Sequence, residues 1–94
     1  PEYWGLRDID MRGATVLESR FRGVQFMNVN LAGARLTTIH MTRVQLIGTD
    51  FEGAVLRDVT FAHVGLFERG ASAGRSLATA RDLPGTRLIN VRFE

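Results

Sequence analysis

Gly70-Ala71-Ser72-Ala73-Gly74 has the letters of a nucleophile elbow, the turn that exposes a serine for acyl transfer. That chemistry needs a base, and in the elbow's arrangement the acid and the histidine follow the serine. Here His40 and His63 both precede it and no histidine follows, so the stretch reads as a small-residue loop. Gly74-Arg75-Ser76 resembles the end of a phosphate-binding loop but lacks both its lysine and its glycine spacing. With no cysteine, thiolate metal sites and disulfides are excluded, and a reducing, cytoplasmic setting fits. His40 and His63 read as solvated side chains, and no metal or cofactor is expected. Asp10, Asn30 and Asp50 recur at twenty-residue steps. Side-chain amides and carboxylates in such a column suit the hydrogen bonds of turns better than acid–base work.

These residues need a scaffold, and the apolar residues describe one. Every fifth residue from Leu6 is apolar: Leu6, Met11, Val16, Phe21, Phe26, Leu31, Leu36, Met41, Leu46, Phe51, Leu56, Phe61 and Leu66. Two residues before each runs a second series, from Trp4, Ile9 and Ala14 to Val59 and Val64, that is apolar except at Ser19 and Thr49. A helix repeats near 3.6 residues and a plain strand near 2, so neither explains a period of five. A short extended stub that buries two alternate residues and then turns a corner does. Four corners close a square coil of twenty residues. Met11-Arg12-Gly13-Ala14, Leu31-Ala32-Gly33-Ala34 and Phe51-Glu52-Gly53-Ala54 recur at that interval. Their glycines are expected to make a tight turn.

Val29-Asn30-Leu31, Thr49-Asp50-Phe51 and Ile9-Asp10-Met11 resemble the pentapeptide-repeat family, whose pattern is Ala-(Asp/Asn)-Leu-x-x. The resemblance covers residues 4–66. It implies an all-β fold, a right-handed quadrilateral β-helix. Residues 1–67 are then a solenoid of just over three coils. Beyond Leu66 the frame would turn Arg69 and Arg81 into the narrow core, where unpaired charge is prohibitive, so the frame stops. Residues 68–85 are expected to make an excursion, either a short helix over 73–82 capped by Ser72 or an irregular loop. Residues 86–94 return to the solenoid through Thr86/Leu88 and Val91/Phe93, shifted by two in frame. Trp4 is expected to cover one open end of the rod, and the excursion, a partner or further coils the other.

Outward residues sort by side. One side carries Arg20, Arg22, His40, Arg43 and His63 without an acid, a candidate face for an anion or an acidic partner. The opposite side carries Asp10, Asp50 and Glu52 against Arg12. Met27, Ile47 and Phe67 share one outward position in successive coils, a candidate interface stripe that is either covered by the 68–85 excursion, pairs with a second copy, or binds another protein or domain. All twelve basic residues are Arg, yet the net charge is only +2, which does not by itself call for nucleic acid. No apolar run approaches the roughly 20 residues of a membrane span, and no leader opens the chain.

A rigid, flat-sided rod without pockets points to a non-catalytic protein-binding or scaffolding module. Pro1 rather than Met begins the chain, which fits part of a larger protein, and a homodimer is the other reading. The resemblance implies a second function, a DNA mimic that binds DNA gyrase and confers quinolone resistance. Direct nucleic-acid binding is not expected, because no exposed aromatic series offers bases a stacking platform.

Overall fold

The computed structural model describes residues 5–68 and 74–94. Ten strands follow one another: β1 (Gly5–Arg7), β2 (Thr15–Arg22), β3 (Gln25–Met27), β4 (Arg35–Thr42), β5 (Gln45–Ile47), β6 (Val55–Ala62), β7 (Gly65–Phe67), β8 (Arg75–Ser76), β9 (Arg87–Ile89) and β10 (Arg92–Phe93). They form two sheets. One has the order β1-β3-β5-β7-β8, and the other runs β10-β6-β4-β2 with β9 also on β6. Pairing from β1 to β7 is parallel and steps by twenty residues, as in Leu6 on Phe26 on Leu46 on Leu66. The chain is therefore a stack of square coils, a solenoid.

The short stubs that a five-residue period predicts occur on only one side. On two other sides the chain stays paired through the corner, so β2, β4 and β6 each run for eight residues. They bend at Glu18, Thr38 and Asp58, whose φ angles are 48°, 59° and 55°. The fourth side is the ladder Asp10–Asn30–Asp50. There the corner is a hydrogen-bonded β-turn: Ala14, Ala34 and Ala54 donate to the carbonyls of Met11, Leu31 and Phe51 at 3.1, 3.0 and 2.9 Å. Gly13, Gly33 and Gly53 hold its third position at φ 71°, 69° and 74°, the left-handed value a type II turn requires. The side chains of the ladder brace the same corner. Asp10, Asn30 and Asp50 accept from the N–H of the residue two further on, at 3.1, 3.0 and 2.8 Å.

The inward side chains fill the axis. Phe26, Leu31, Leu36, Met41, Leu46, Phe51, Leu56 and Phe61 are each at most 5% exposed, and Ile39, Val44 and Val59 are fully buried. Each such side chain withdrawn from water contributes about 1.5–3 kcal/mol. No polar side chain among the described residues is buried in this core.

The C-terminal excursion differs from a helix over 73–82. Ser72 and Ala73 lie outside the described residues, as does Trp4. Arg75–Ser76 is a strand that pairs antiparallel with β7. Leu77 then donates its N–H to the Val64 carbonyl at 2.8 Å and turns into the end of the core, where it is 2% exposed. One 3-10 turn at Ala80–Asp82 follows, and Leu83 is buried in its turn. A helix would leave the β7 edge unpaired and the axis unplugged, whereas this path satisfies both. The return is in register with the solenoid. Leu88 lies on Leu56 and Phe93 on Phe61, an offset of 32 residues where a regular coil has 20. The two rings stack with centroids 5.6 Å apart.

Candidate interaction surfaces

Because an axis filled by side chains leaves no interior site, function falls to the walls. The molecule measures 33 × 27 × 23 Å, so its walls are short and no side dominates by length. Among the described residues no group of three or more His, Asp or Glu could hold a metal ion. None of their helices is long and apolar enough to cross a membrane.

The outer face of the long strands is rich in arginine. Arg20 lies in register with His40, and His40 with Thr60. Arg92 pairs in turn with Thr60, so it extends this column one coil further. Arg22 stands beside it, on Thr42. Arg43 and His63 sit at the next corner at φ 55° each, one coil apart, both exposed. The five residues grouped on this side by their spacing thus lie along one wall and its corner. Arg43 and His63 also border an open cleft of about 420 Å³ with Gln45, Phe67, Arg75 and Ser76.

Arg92 was out of reach of the sequence, because its place depends on the 32-residue offset. The same offset completes the adjoining wall. There Arg35, Val55 and Arg87 form one column, and Thr37, Arg57 and Ile89 the next. A twenty-residue step brings Arg35 and Arg57 to this wall, and the 32-residue offset adds Arg87.

The opposite side is less acidic than its residues suggest. Arg12 grips Asp10 with two donors, Nε to Oδ1 at 2.9 Å and Nη2 to Oδ2 at 2.8 Å. That side-chain pairing, helped by the Arg12 backbone N–H, holds the Asp10 carboxyl below its ordinary value. Asp50 accepts from the Glu52 N–H.

Met27, Ile47 and Phe67 are stacked in register on the outer face of the first sheet. Each is half-buried. Phe67 is the one the excursion reaches: Gly74 lies so close to its ring that a Cβ there would collide with it. Below them Gln25 donates to Gln45, Nε2 to Oε1 at 2.7 Å, so the neighbouring outward column is an amide ladder.

The family model for pentapeptide repeats matches the chain in eight copies, over residues 6–43 and 39–66. No curated protein shows significant similarity to it.

Proposed function

The chain belongs to the pentapeptide-repeat family, and from that premise we propose that it is a non-catalytic protein-binding module, acting within a larger protein or as a homodimer. The observation that carries this reading is the filled axis. Leu46, Leu56 and Phe61 are fully buried, so contact has to be made by flat walls, which suits partner surfaces better than small substrates. The walls carry arginine, Met27 and Phe67, residue types enriched in protein interfaces. A cytoplasmic setting fits a chain without cysteine.

A photo-crosslinking side chain placed in turn at Thr42, Ile47 and Ala32 tests the module. Adducts from Thr42 or Ile47 in the source cells support it, and none from any of the three overturns it. Sedimentation of the wild type and Phe67→Asp tests the homodimer. Loss of association in the variant supports the Met27–Ile47–Phe67 stripe, and unchanged association clears the stripe of that role.

The family's DNA-mimic role on gyrase is the second reading. It draws on Asp10, Asp50 and Glu52, but Arg12 neutralises Asp10, and the long-strand walls are basic. Charge therefore favours an acidic partner over gyrase. Supercoiling by gyrase with a quinolone, unchanged by a large excess of the protein, would remove this reading.

A further inference from the structure

Arg35, Thr37, Val55, Arg57, Arg87 and Ile89 line a shallow trough of about 500 Å³ on the outer wall of β4, β6 and β9. Resting on the reading of the chain as a protein-binding module, we propose that this trough binds an extended acidic segment of a partner protein, with carboxylates at alternate positions. The three arginines zigzag up the wall: Arg35 and Arg87 in one column, two strands apart, and Arg57 in the other, on the strand between. Strands stand about 4.8 Å apart and alternate residues about 6.7 Å, so neighbours in the zigzag are about 8 Å apart. An extended peptide repeats its same-side positions about every 7 Å, so two successive carboxylates reach Arg57 and one of its neighbours, while the third arginine, about 10 Å from its column partner, closes on them from the side.

All three arginines are exposed, and none makes a side-chain hydrogen bond or ion pair among the described residues. Asp58, at the corner beside Arg57, already accepts from Asn90 Nδ2 at 2.6 Å. The guanidinium fork matches a carboxylate with two parallel hydrogen bonds. Apolar side chains flank the cations. Val55 and Ile89 share the trough, and Leu17, which continues the Thr37 column one coil down, is 58% exposed. It is the only large apolar side chain that exposed among the described residues. No aromatic side chain among them stands on this wall to stack a base, whereas Leu17, Val55 and Ile89 gain from apolar peptide side chains. The wall therefore favours an acidic polypeptide over nucleic acid.

The test is fluorescence anisotropy on the full chain with a labelled ten-residue peptide that alternates Glu with Leu or Thr. The same peptide with Gln for Glu, and a labelled ten-nucleotide oligo(dT), are the comparison probes. Arg35→Gln/Arg57→Gln/Arg87→Gln is the trough variant and Arg20→Gln/Arg22→Gln/Arg92→Gln the neighbouring-wall variant, both checked for wild-type circular dichroism. The expected result is binding of the Glu peptide, weakened about tenfold or more by the trough variant and by Gln in the peptide, but less than about threefold by the neighbouring-wall variant. Equal losses in the two variants would reduce the trough to general charge. Tighter binding of oligo(dT) would make it a nucleic-acid surface. Absence of Glu-peptide binding would overturn the trough while leaving crosslinks from Thr42 or Ile47 to decide the module.

Discussion

At the scale of single residues, the corners set the chemistry of the surface. The residue two after each inward plug adopts positive φ in coil after coil: Asp8, Gly13, Glu18, Gly23, Asn28, Gly33, Thr38, Arg43, Gly48, Gly53, Asp58 and His63. Glycine and asparagine tolerate this conformation, and a β-branched residue does so worst. Thr38, at φ 59°, is the most strained by type. Asparagine has a further advantage at such corners. Asn28 Nδ2 donates to Asp8 Oδ1 at 3.0 Å and Asn90 Nδ2 to Asp58 Oδ1 across neighbouring coils. Thr38 lies between Glu18 and Asp58 in its column. Thr38→Asn is therefore expected to stabilise the protein by about 1 kcal/mol, read as a raised urea midpoint at constant slope. A lowered midpoint would mean that the stacked column imposes no strain on threonine. The left-handed corners were legible in sequence only at Gly13, Gly33 and Gly53, where glycine recurs. At Glu18, Arg43 and His63 stacking overrides the residue's own preference, and composition carries no sign of it.

At the scale of elements, the repeat and its interruption were legible to different degrees. The period of five placed every plug from Leu6 to Leu66, because one inward residue in five must be apolar. It could not place β8 or align β9 and β10. An antiparallel partner for β7 and a 32-residue return follow from closing an edge and plugging an axis, not from any local pattern. This closure depends on Asp82. Its carboxylate accepts from the N–H groups of Ala78 and Thr79 at 2.9 and 3.0 Å and pairs with Arg75 at 3.3 Å. Those two backbone donors, with Arg75 behind them, hold the carboxyl below its ordinary value of 3.8. A depressed folded-state value stabilises the charged form, so the contribution is complete above 3.8 and fades as pH falls below it. Acidification from about pH 5 to about pH 2 is expected to open the excursion first, speeding hydrogen exchange at Leu77 relative to Leu46 after correction for intrinsic rates. Asp82→Asn should exchange faster at Leu77 already at neutral pH and lose most of that acid step. An acid step of equal size in the variant would assign it to other carboxylates.

At the scale of the whole molecule, a solenoid is a one-dimensional stack, and each coil is held only by its neighbours. The middle coils have two neighbours, and their plugs are buried. The first coil has one among the described residues, and Leu6, Met11, Val16 and Phe21 are only partly buried. The same holds at the far end for Leu88, Val91 and Phe93. Protection should therefore fall from the middle outward. The Met11 N–H, bonded to Asn30 O at 2.8 Å, is expected to exchange at least about tenfold faster than the Leu31 N–H, bonded to Asp50 O at 2.7 Å. Since both amides are hydrogen-bonded, the difference would report opening of the coil rather than a missing bond. Equal protection would mean that the stack opens as one cooperative unit. The arginine trough adds a coupling to this gradient, because Arg35, Arg57 and Arg87 belong to three strands stacked in turn, the last in the partly buried return. An acidic peptide bound across all three ties the last coil to the middle. It should slow exchange of the Arg87 N–H, which bonds Ala54 O at 2.8 Å, while leaving Met11 unchanged. Slowing at both ends together would place the peptide elsewhere or make the effect global.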